Sequence, residues 1–418
     1  MDKPVAPYLI AIASGDIAFR ELGPRTGVWT EPVMLDRAAA ELADTEKMVE
    51  AAEKLYGPYR WGRYDVIVLP PSFPYGGMEN PTLTFLTPTF IAGDKSLVGL
   101  VAHELAHSWS GNLVTNATWA DSWLNEGFTS YFENRIMEAL YGPQRAAQEA
   151  ALSFDEMTSS FEEVGKEAPV TRLHLAAAEA RPDGGSSGIV YDKGAIFLRT
   201  MEKLVGRERF DAWLRSYFDR YAFQPMTSAK FLADFRENLV KGDKALDDKL
   251  MLDQWVFEPG LPTNVARPDP AAFAEVDKEV AAFNAGGPAP DGFGNWTTAE
   301  RIRFVNRLPR KLPPARLDEL NAKLGLNEAG NYEVMFAWLD LAVANRYQPA
   351  VPALERFLTE QGRRKFVKPL ITDLAKDAEW GRPIAVRIYG TARPSYHAVT
   401  TNDLDKLGLL PTTKKANL

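Results

Sequence analysis

The chain has 418 residues, 45% of them hydrophobic and 25% charged, which is typical of a globular protein. Its length exceeds what one hydrophobic core usually supports, so we expect two or three domains. The net charge of −8 argues against nucleic acid as the main partner. Because cysteine is absent, disulfides and thiolate metal sites are excluded.

Localisation is predicted from three features. No apolar run reaches the ~18 residues that a membrane span needs. The first residues, Met1-Asp2-Lys3-Pro4, lack the charged and apolar regions of a signal peptide. The lack of cysteine fits a reducing compartment without proving one. We therefore predict a cytoplasmic protein without membrane contact, and secretion of a longer precursor stays open.

The first elements along the chain are strands and one long helix. Residues 8–13 are predicted as a short strand, 34–56 as a helix ending at Gly57, and 65–69 as a buried strand. Two more helices follow, for which Ser96 and Asp121 are the predicted N-caps. The second of them has an apolar face formed by Leu124, Phe128, Tyr131, Phe132 and Ile136. Further helices are predicted as far as about Trp255.

The composition changes after residue 258. Proline and glycine punctuate residues 259–296, which predicts a linker with one short helix. Thr297 and Glu300 then form a capping-box pattern. Short amphipathic helices are predicted at residues 315–324, 332–345, 353–361 and 369–376. Consecutive short helices with short turns indicate a stacked, solenoid-like layer, although the sequence has no strict repeat.

His103, Glu104 and His107 form the pattern HExxH, and eighteen residues separate His107 from Glu126. Helical residues i and i+4 share one face, about 6 Å apart along the axis, so both histidines can bind one ion. Glu126, from a second helix, completes the three protein ligands of a catalytic zinc. Glu104 lies beside the ion, where it can act on water. We predict one zinc ion per chain.

Glu133 follows Glu126 by two turns, and two interpretations stay open: it orients a ligand histidine, or it is a solvated charge.

A second motif consists of Gly76, Gly77, Met78, Glu79 and Asn80. Two glycines let another backbone approach closely, as a peptide would if it docked as an added strand. Glu79 then offers a carboxylate to the ammonium group at the end of that peptide. Alone, the motif would be an ordinary glycine turn; beside a metal motif it predicts a site for peptide amino termini.

Together, HExxH-x18-E and GGMEN resemble the signature pair of the M1 (gluzincin) aminopeptidases. Longer runs, at residues 23–26, 69–81, 111–116 and 123–127, are similar to the leukotriene A4 hydrolase branch of that family. The similarity extends through essentially the whole chain. It implies an α+β fold, mainly helical with a small sheet, in which a thermolysin-like zinc peptidase domain precedes a C-terminal helical superhelix.

The resemblance implies a role for each matched residue. His103, His107 and Glu126 would hold zinc, Glu104 would be the general base, and Glu79 would anchor the amino terminus of the substrate.

Further matches concern the oxyanion, the far end of the peptide and a second reaction. Tyr191 matches the family tyrosine that stabilises the oxyanion. Arg363 and Lys365 match residues that bind the carboxylate of short peptides, and an ordinary basic helix start is the alternative. Asp183 matches an aspartate used in epoxide hydrolysis, but Ser186 replaces a tyrosine of that reaction. The peptidase residues are therefore intact, while epoxide hydrolysis lacks one residue.

The resemblance also implies domain boundaries: residues 1–14 as a remnant of an N-terminal β-domain, 15–258 as the catalytic domain, 259–296 as the linker, and 297–418 as an armadillo- or HEAT-like domain. The branch carries a large N-terminal β-domain, which we expect to be missing here. A fragment, a wrongly assigned gene start and a deliberate truncation stay open as explanations.

The leading hypothesis is a zinc aminopeptidase that acts on short peptides with a free amino terminus. One alternative is a bifunctional enzyme that also opens a lipid epoxide. The other is a folded but inactive chain that serves as a helical binding module. The expected partners are peptides and a separate N-terminal β-domain, and neither nucleic acid nor a membrane.

Overall fold

The computed structural model describes residues 3–176, 180 and 188–411. The density of contacts divides the chain into two compact units. The first unit comprises Met1–Val66, Glu79–Thr84 and Val98–Ala272, and the second comprises Ile67–Met78, Phe85–Leu97 and Phe273–Leu418. The domain boundaries implied by the resemblance stay a prediction.

The strands of the described residues are short. They are β1 (Ala18–Glu21), β2 (Thr26–Thr30), β3 (Tyr64–Val68), β4 (Gly77–Met78), β5 (Leu83–Leu86), β6 (Val114–Asn116) and β7 (Gln224–Met226). Five of them form one sheet in the order β1-β2-β3-β5-β4, and β6 pairs with β7 in parallel. β1 is antiparallel to β2, and β4 is antiparallel to β5. The predicted buried strand at 65–69 is confirmed as β3, whose Val66, Ile67 and Val68 are at most 3% exposed.

Helices form most of the structure. In the first unit they are α1 (Leu35–Glu41), α2 (Thr45–Tyr56), α3 (Gly99–Ala106), α4 (Trp123–Tyr141), α5 (Pro143–Val164), α6 (Ile189–Val205), α7 (Arg207–Arg220), α8 (Ser228–Asp234), α9 (Lys244–Leu250) and α10 (Leu252–Phe257). In the second unit they are α11 (Ala274–Asn284), α12 (Thr298–Arg307), α13 (Pro314–Leu324), α14 (Tyr332–Ala344), α15 (Val351–Glu360), α16 (Arg364–Lys376), α17 (Gly381–Ala392) and α18 (Ala398–Leu404). The predicted mainly helical fold with a small sheet is confirmed. None of the helices in the described part of the chain combines the length and the apolar composition needed to cross a bilayer.

The core of the first unit is built around α4. The five apolar residues predicted for its buried face are each at most 4% exposed. Phe132 stacks on Tyr56 of α2 with 3.7 Å between the ring centroids. Burying one such aromatic side chain contributes about 1.5–3 kcal/mol, so this face holds α4 rigidly in the unit.

Two glycines let α4 and α6 approach closely. A Cβ atom added to Gly194 would lie 2.6 Å from the Cα of Gly127, and one added to Gly127 would lie 2.7 Å from the Cα of Gly194. Both distances are shorter than real carbon contacts allow, so the backbones themselves touch. The residue before Gly127 is Glu126, and Tyr191 lies one turn before Gly194. The close contact therefore brings these two side chains together.

Several local predictions for the first unit were wrong. Residues 8–13 form no strand: a 3₁₀ turn at Pro7–Leu9 is followed by irregular chain, and no strand in the described part of the chain pairs with this segment. The predicted helix at 34–56 is two helices, since the Thr45 hydroxyl donates to the carbonyl O of Leu42 at 2.6 Å and replaces the helical pattern there. Its predicted end at Gly57 is confirmed.

Neither predicted N-cap forms. Helix α3 begins at Gly99, and the backbone N–H of Ser96 donates to Asp94 instead. One carboxylate oxygen of Asp121 accepts a hydrogen bond of 2.7 Å from the hydroxyl of Ser228. The other accepts a hydrogen bond of 2.9 Å from the hydroxyl of Thr118. The carboxylate is therefore occupied by a long-range contact and does not cap α4.

In the second unit the helices stack in two rows. Contacts join α12 to α14, α14 to α16 and α16 to α18, while α15 contacts α17, as expected of a helical solenoid. The capping box of Thr297 and Glu300 is confirmed. Helix α16 begins at Arg364, before the predicted residue 369, because Phe366 and Val367 are fully buried. Helices α17 and α18 were not predicted.

The contact between α4 and α6 predicts that Gly194→Ala destabilises the protein. Alanine favours helices more than glycine, yet its methyl group must push the backbones apart, which costs about 1–3 kcal/mol. Denaturant unfolding would measure this loss. The control is Gly188→Ala directly before the same helix, where a Cβ meets no atom of the described residues within 4 Å. Equal unfolding midpoints for the two variants would show that the helices can separate freely.

Candidate metal centre

Two helices bring three metal-binding side chains to one point in the first unit. His103 lies in the last turn of α3 and His107 is the residue that directly follows this helix, with the two ring centroids 4.9 Å apart. Glu126 lies in the first turn of α4. Its Oε2 atom is 3.4 Å from Nε2 of His103 and 3.5 Å from Nε2 of His107. The predicted ligand set is thus together in space.

The other ring nitrogens hold the histidines in orientation. Nδ1 of His103 lies 3.0 Å from Oε2 of Glu133, and Nδ1 of His107 lies 3.1 Å from the backbone O of Ser110. A carbonyl oxygen can only accept, so Nδ1 of His107 carries the proton. A carboxylate imposes the same tautomer on His103. Both Nε2 atoms therefore face Oε2 of Glu126, which is the arrangement of metal-binding histidines.

These residues fit a zinc ion. Ligand atoms about 2.0–2.2 Å from a tetrahedral zinc lie about 3.4 Å from one another, as the Nε2 and Oε2 atoms do here. Among the residues that the structure describes, Oε2 of Glu126 is buried without a hydrogen-bond partner. Although burial opposes its ionisation, the neighbouring His107 and His103 lower the pKa of Glu126. The carboxylate is therefore charged and available to a cation.

Glu104 lies beside this group. It is 5% exposed, and its Oε2 atom has no hydrogen-bond partner in the described part of the chain. Burial raises the pKa of Glu104 well above its ordinary value. Its carboxylate, a carboxylate oxygen of Glu79 and a ring nitrogen of His107 all lie within 4.8 Å of one another. A second carboxylate thus stands next to the metal-binding group.

Two asparagines that the sequence analysis missed hold Glu79. Nδ2 of Asn112 donates to its backbone O at 2.8 Å, and Nδ2 of Asn125 donates to its Oε1 at 3.4 Å. Gly111 has φ of +109°, and a Cβ atom there would lie 2.2 Å from Oδ1 of Asn125. Asn125 directly precedes Glu126, and this neighbourhood was the signal that could have identified it.

Tyr191 lies in the first turn of α6. Its ring is stacked near that of His103, with 6.1 Å between centroids and 17° between planes. Burial and the nearby carboxylate of Glu126 raise the pKa of Tyr191 well above its ordinary value. The hydroxyl therefore stays protonated and can donate a hydrogen bond.

Gly76, Gly77 and Met78 of the GGMEN motif lie in the second unit, and Asn80 lies in the first. Gly77 and Met78 form β4, which ends the sheet order and pairs on one side only, with β5. The backbone O of Gly76 accepts a hydrogen bond from the N–H of Thr87 at 2.9 Å. An edge strand of this kind can accept an added peptide strand.

Arg363 and Lys365 have a partner within the second unit. Nζ of Lys365 lies 2.8 Å from Oε2 of Glu333, and Nη1 of Arg363 lies 3.5 Å from Oε1 of the same residue. Although burial opposes its ionisation, these two cations lower the pKa of Glu333. Asp183 and Ser186 lie outside the described residues.

Comparison with known proteins agrees with this geometry. Residues 40–255, just over half of the chain, match the model of the Peptidase family M1 domain. The chain belongs to peptidase family M1. Residues 296–407 match the model described as leukotriene A4 hydrolase, C-terminal. The family and the branch predicted from the motifs are therefore confirmed.

The relatives extend over nearly all of this M1 chain. It is 38% identical to leukotriene A-4 hydrolase of Xenopus laevis over 95% of its own length and 66% of that protein. It is 34% identical to aminopeptidase B of Mus musculus over 97% of its own length and 65% of that protein. The chain thus spans slightly less than two thirds of the length of these relatives. A solved structure of yeast leukotriene A4 hydrolase with bestatin superposes with a TM-score of 0.85 at 30% identity, covering 96% of this chain and 68% of that one.

The hydrogen bond between Glu133 and His103 predicts that Glu133→Ala weakens zinc binding by about 10–100-fold, because the imidazole loses the partner that orients it. Competition with a chelator of known affinity would measure the dissociation constant. Glu156→Ala, an exposed glutamate of α5, is the control. Unchanged zinc affinity in the Glu133 variant would make this residue a surface charge without influence on the metal.

Proposed function

We propose that this chain is a zinc-dependent aminopeptidase that removes the first residue of short peptides. The observation that carries the proposal is the position of Glu79 beside Glu104 and His107, with the three ligand atoms within 4.8 Å of one another. Within one residue, the amine nitrogen lies about 2.5 Å from the carbonyl carbon. A residue whose ammonium binds Glu79 therefore has its carbonyl next to the metal centre. The names of relatives such as aminopeptidase B support the same reaction.

His103, His107 and Glu126 would hold one zinc ion, with Glu133 orienting His103. When bound, zinc supplies a Lewis acid that lowers the pKa of water and polarises a carbonyl. Glu104 takes the proton of the attacking water and later delivers it to the leaving amine. The Tyr191 hydroxyl donates a hydrogen bond to the oxyanion that forms in the transition state. The amide groups of Asn112 and Asn125 keep Glu79 in place for the substrate's ammonium group.

Other assignments rest on the resemblance. Gly76, Gly77, Met78 and Asn80 would position the peptide backbone, and Arg363 and Lys365 would bind the carboxylate of a short peptide. A cytoplasmic location and the absence of nucleic-acid and membrane partners likewise stay predictions from the sequence.

Epoxide hydrolysis is a second candidate function. The similarity to leukotriene A-4 hydrolase at 38% identity favours it, and Ser186, where that reaction uses a tyrosine, disfavours it.

Glu104→Gln is expected to keep zinc and to lose activity by about 10²–10⁴-fold, because the amide cannot accept the proton of water. Zinc content by elemental analysis and turnover of an aminoacyl anilide would be measured together. Glu156→Gln is the matched control. Near-normal turnover in the Glu104 variant would remove it as the general base, and an inactive unmodified chain would favour the binding-module alternative.

The position of Glu79 predicts that a free amino terminus is required. N-acetylation removes the ammonium charge, so the acetylated peptide should be cleaved at least about 100-fold more slowly, and Glu79→Gln should raise KM for the free peptide. Peptide cleavage followed by chromatography checks both. Equal cleavage of free and acetylated peptides would instead indicate an endopeptidase.

A further inference from the structure

The segment that precedes β1 lies against the metal centre within the first unit. The backbone O of Leu9 accepts a hydrogen bond of 2.7 Å from Nδ2 of Asn80. The Leu9 side chain is 2% exposed. Asn80 directly follows Glu79, so this buried bond fixes the segment next to the carboxylate that is proposed to bind the substrate's amine.

Tyr8 directly precedes Leu9 in this segment. Its ring packs edge-on against Trp119, with 5.3 Å between centroids. Trp119 begins the 3₁₀ turn Trp119–Asp121, shortly before α4 and Glu126. The ring is thus held on one side by Trp119, yet Tyr8 is 41% exposed. A side chain that is fixed at one face and open at the other is available to a ligand.

The electrostatic surroundings of Tyr8 indicate what its hydroxyl can do. Partial burial, together with the carboxylates of Glu79 and Glu126, raises the pKa of Tyr8. The hydroxyl therefore lies in the field of both carboxylates and stays protonated. A neutral phenol can donate to a carboxylate and can also accept a hydrogen bond from an ammonium group.

We propose that Tyr8 lines the subsite for the first residue of the substrate, with its hydroxyl contacting the ammonium group and its ring contacting the first side chain. This inference rests on the proposed aminopeptidase function and deepens it. An ammonium group has three N–H donors, and Glu79 alone does not occupy all of them. The ring also offers the ammonium a cation–π contact and gives an apolar side chain a surface to cover.

A purely structural role for Tyr8 makes a different prediction. If the ring only pins the N-terminal segment onto Trp119, its loss lowers stability without changing the preference among ligands. Binding measurements on a chain that cannot turn substrate over separate the two roles, and they do not depend on catalysis.

The experiment uses the full zinc-loaded chain with Glu104→Gln and titrates Phe-Ala and Gly-Ala dipeptides by calorimetry. Tyr8→Phe is expected to weaken both dipeptides by roughly tenfold, because a hydrogen bond to a charged group is lost. Tyr8→Ala is expected to reduce the preference for Phe-Ala over Gly-Ala by a further roughly fivefold, because the ring surface is gone. Ile10→Ala, at a residue 72% exposed in the same segment, is the control.

Zinc content and the unfolding midpoint of each variant accompany the titrations. If both Tyr8 variants bind the dipeptides as the Ile10 control does, the proposal is overturned, and so it is if only the unfolding midpoint changes. If the proposed function is wrong, the result is different: the chain with Glu104 intact does not cleave peptides, whereas the dipeptide affinities still measure the role of Tyr8.

Discussion

The backbone contact between Gly127 and Gly194 is the constraint on which the metal centre depends. Helix α4 carries Glu126 immediately before the contact, and helix α6 carries Tyr191 one turn before it. With a Cβ on either glycine less than 3 Å from the facing backbone, α4 and α6 could not lie this close. The carboxylate proposed to bind zinc and the hydroxyl proposed to bind the oxyanion would then stand too far apart to act on one substrate carbonyl.

Around that contact, the protein has to accommodate several charges with little water. Isolated buried carboxylates are costly, and the cost is offset only by opposite charges and hydrogen bonds. Glu79, Glu104, Glu126 and Glu133 are gathered around His103 and His107, and such a cluster of acidic groups suits a divalent cation and a substrate ammonium. The amides of Asn112 and Asn125 hold Glu79 without adding charge, so its carboxylate stays available.

In the second unit, charged side chains are likewise paired with opposite charges. The side chain of Asn331 caps α14 by accepting from the N–H of Glu333 at 3.0 Å, and this places Glu333 beside Lys365 and Arg363. Glu333 thus holds in place the two cations that the resemblance assigns to the carboxylate of a short peptide.

The sequence by itself determined the features that depend on neighbours a few residues away. The apolar run of β3, the buried face of α4 and the shared face of His103 and His107 follow from strand or helix periodicity, and the capping box at Thr297 follows from the spacing of Thr297 and Glu300. The motifs, through their resemblance to M1 peptidases, also named the family.

Only the tertiary structure decided contacts between distant segments: Glu133 with His103, the two asparagines on Glu79, and Leu9 with Asn80, 71 residues apart. The same reason explains the errors: Asp121 could cap α4 locally but is bound by Ser228, and the apolar residues 8–13 pair with no strand in the described part of the chain. A local sequence pattern determines which partners a side chain can bind, and the packing of the whole chain selects among these partners.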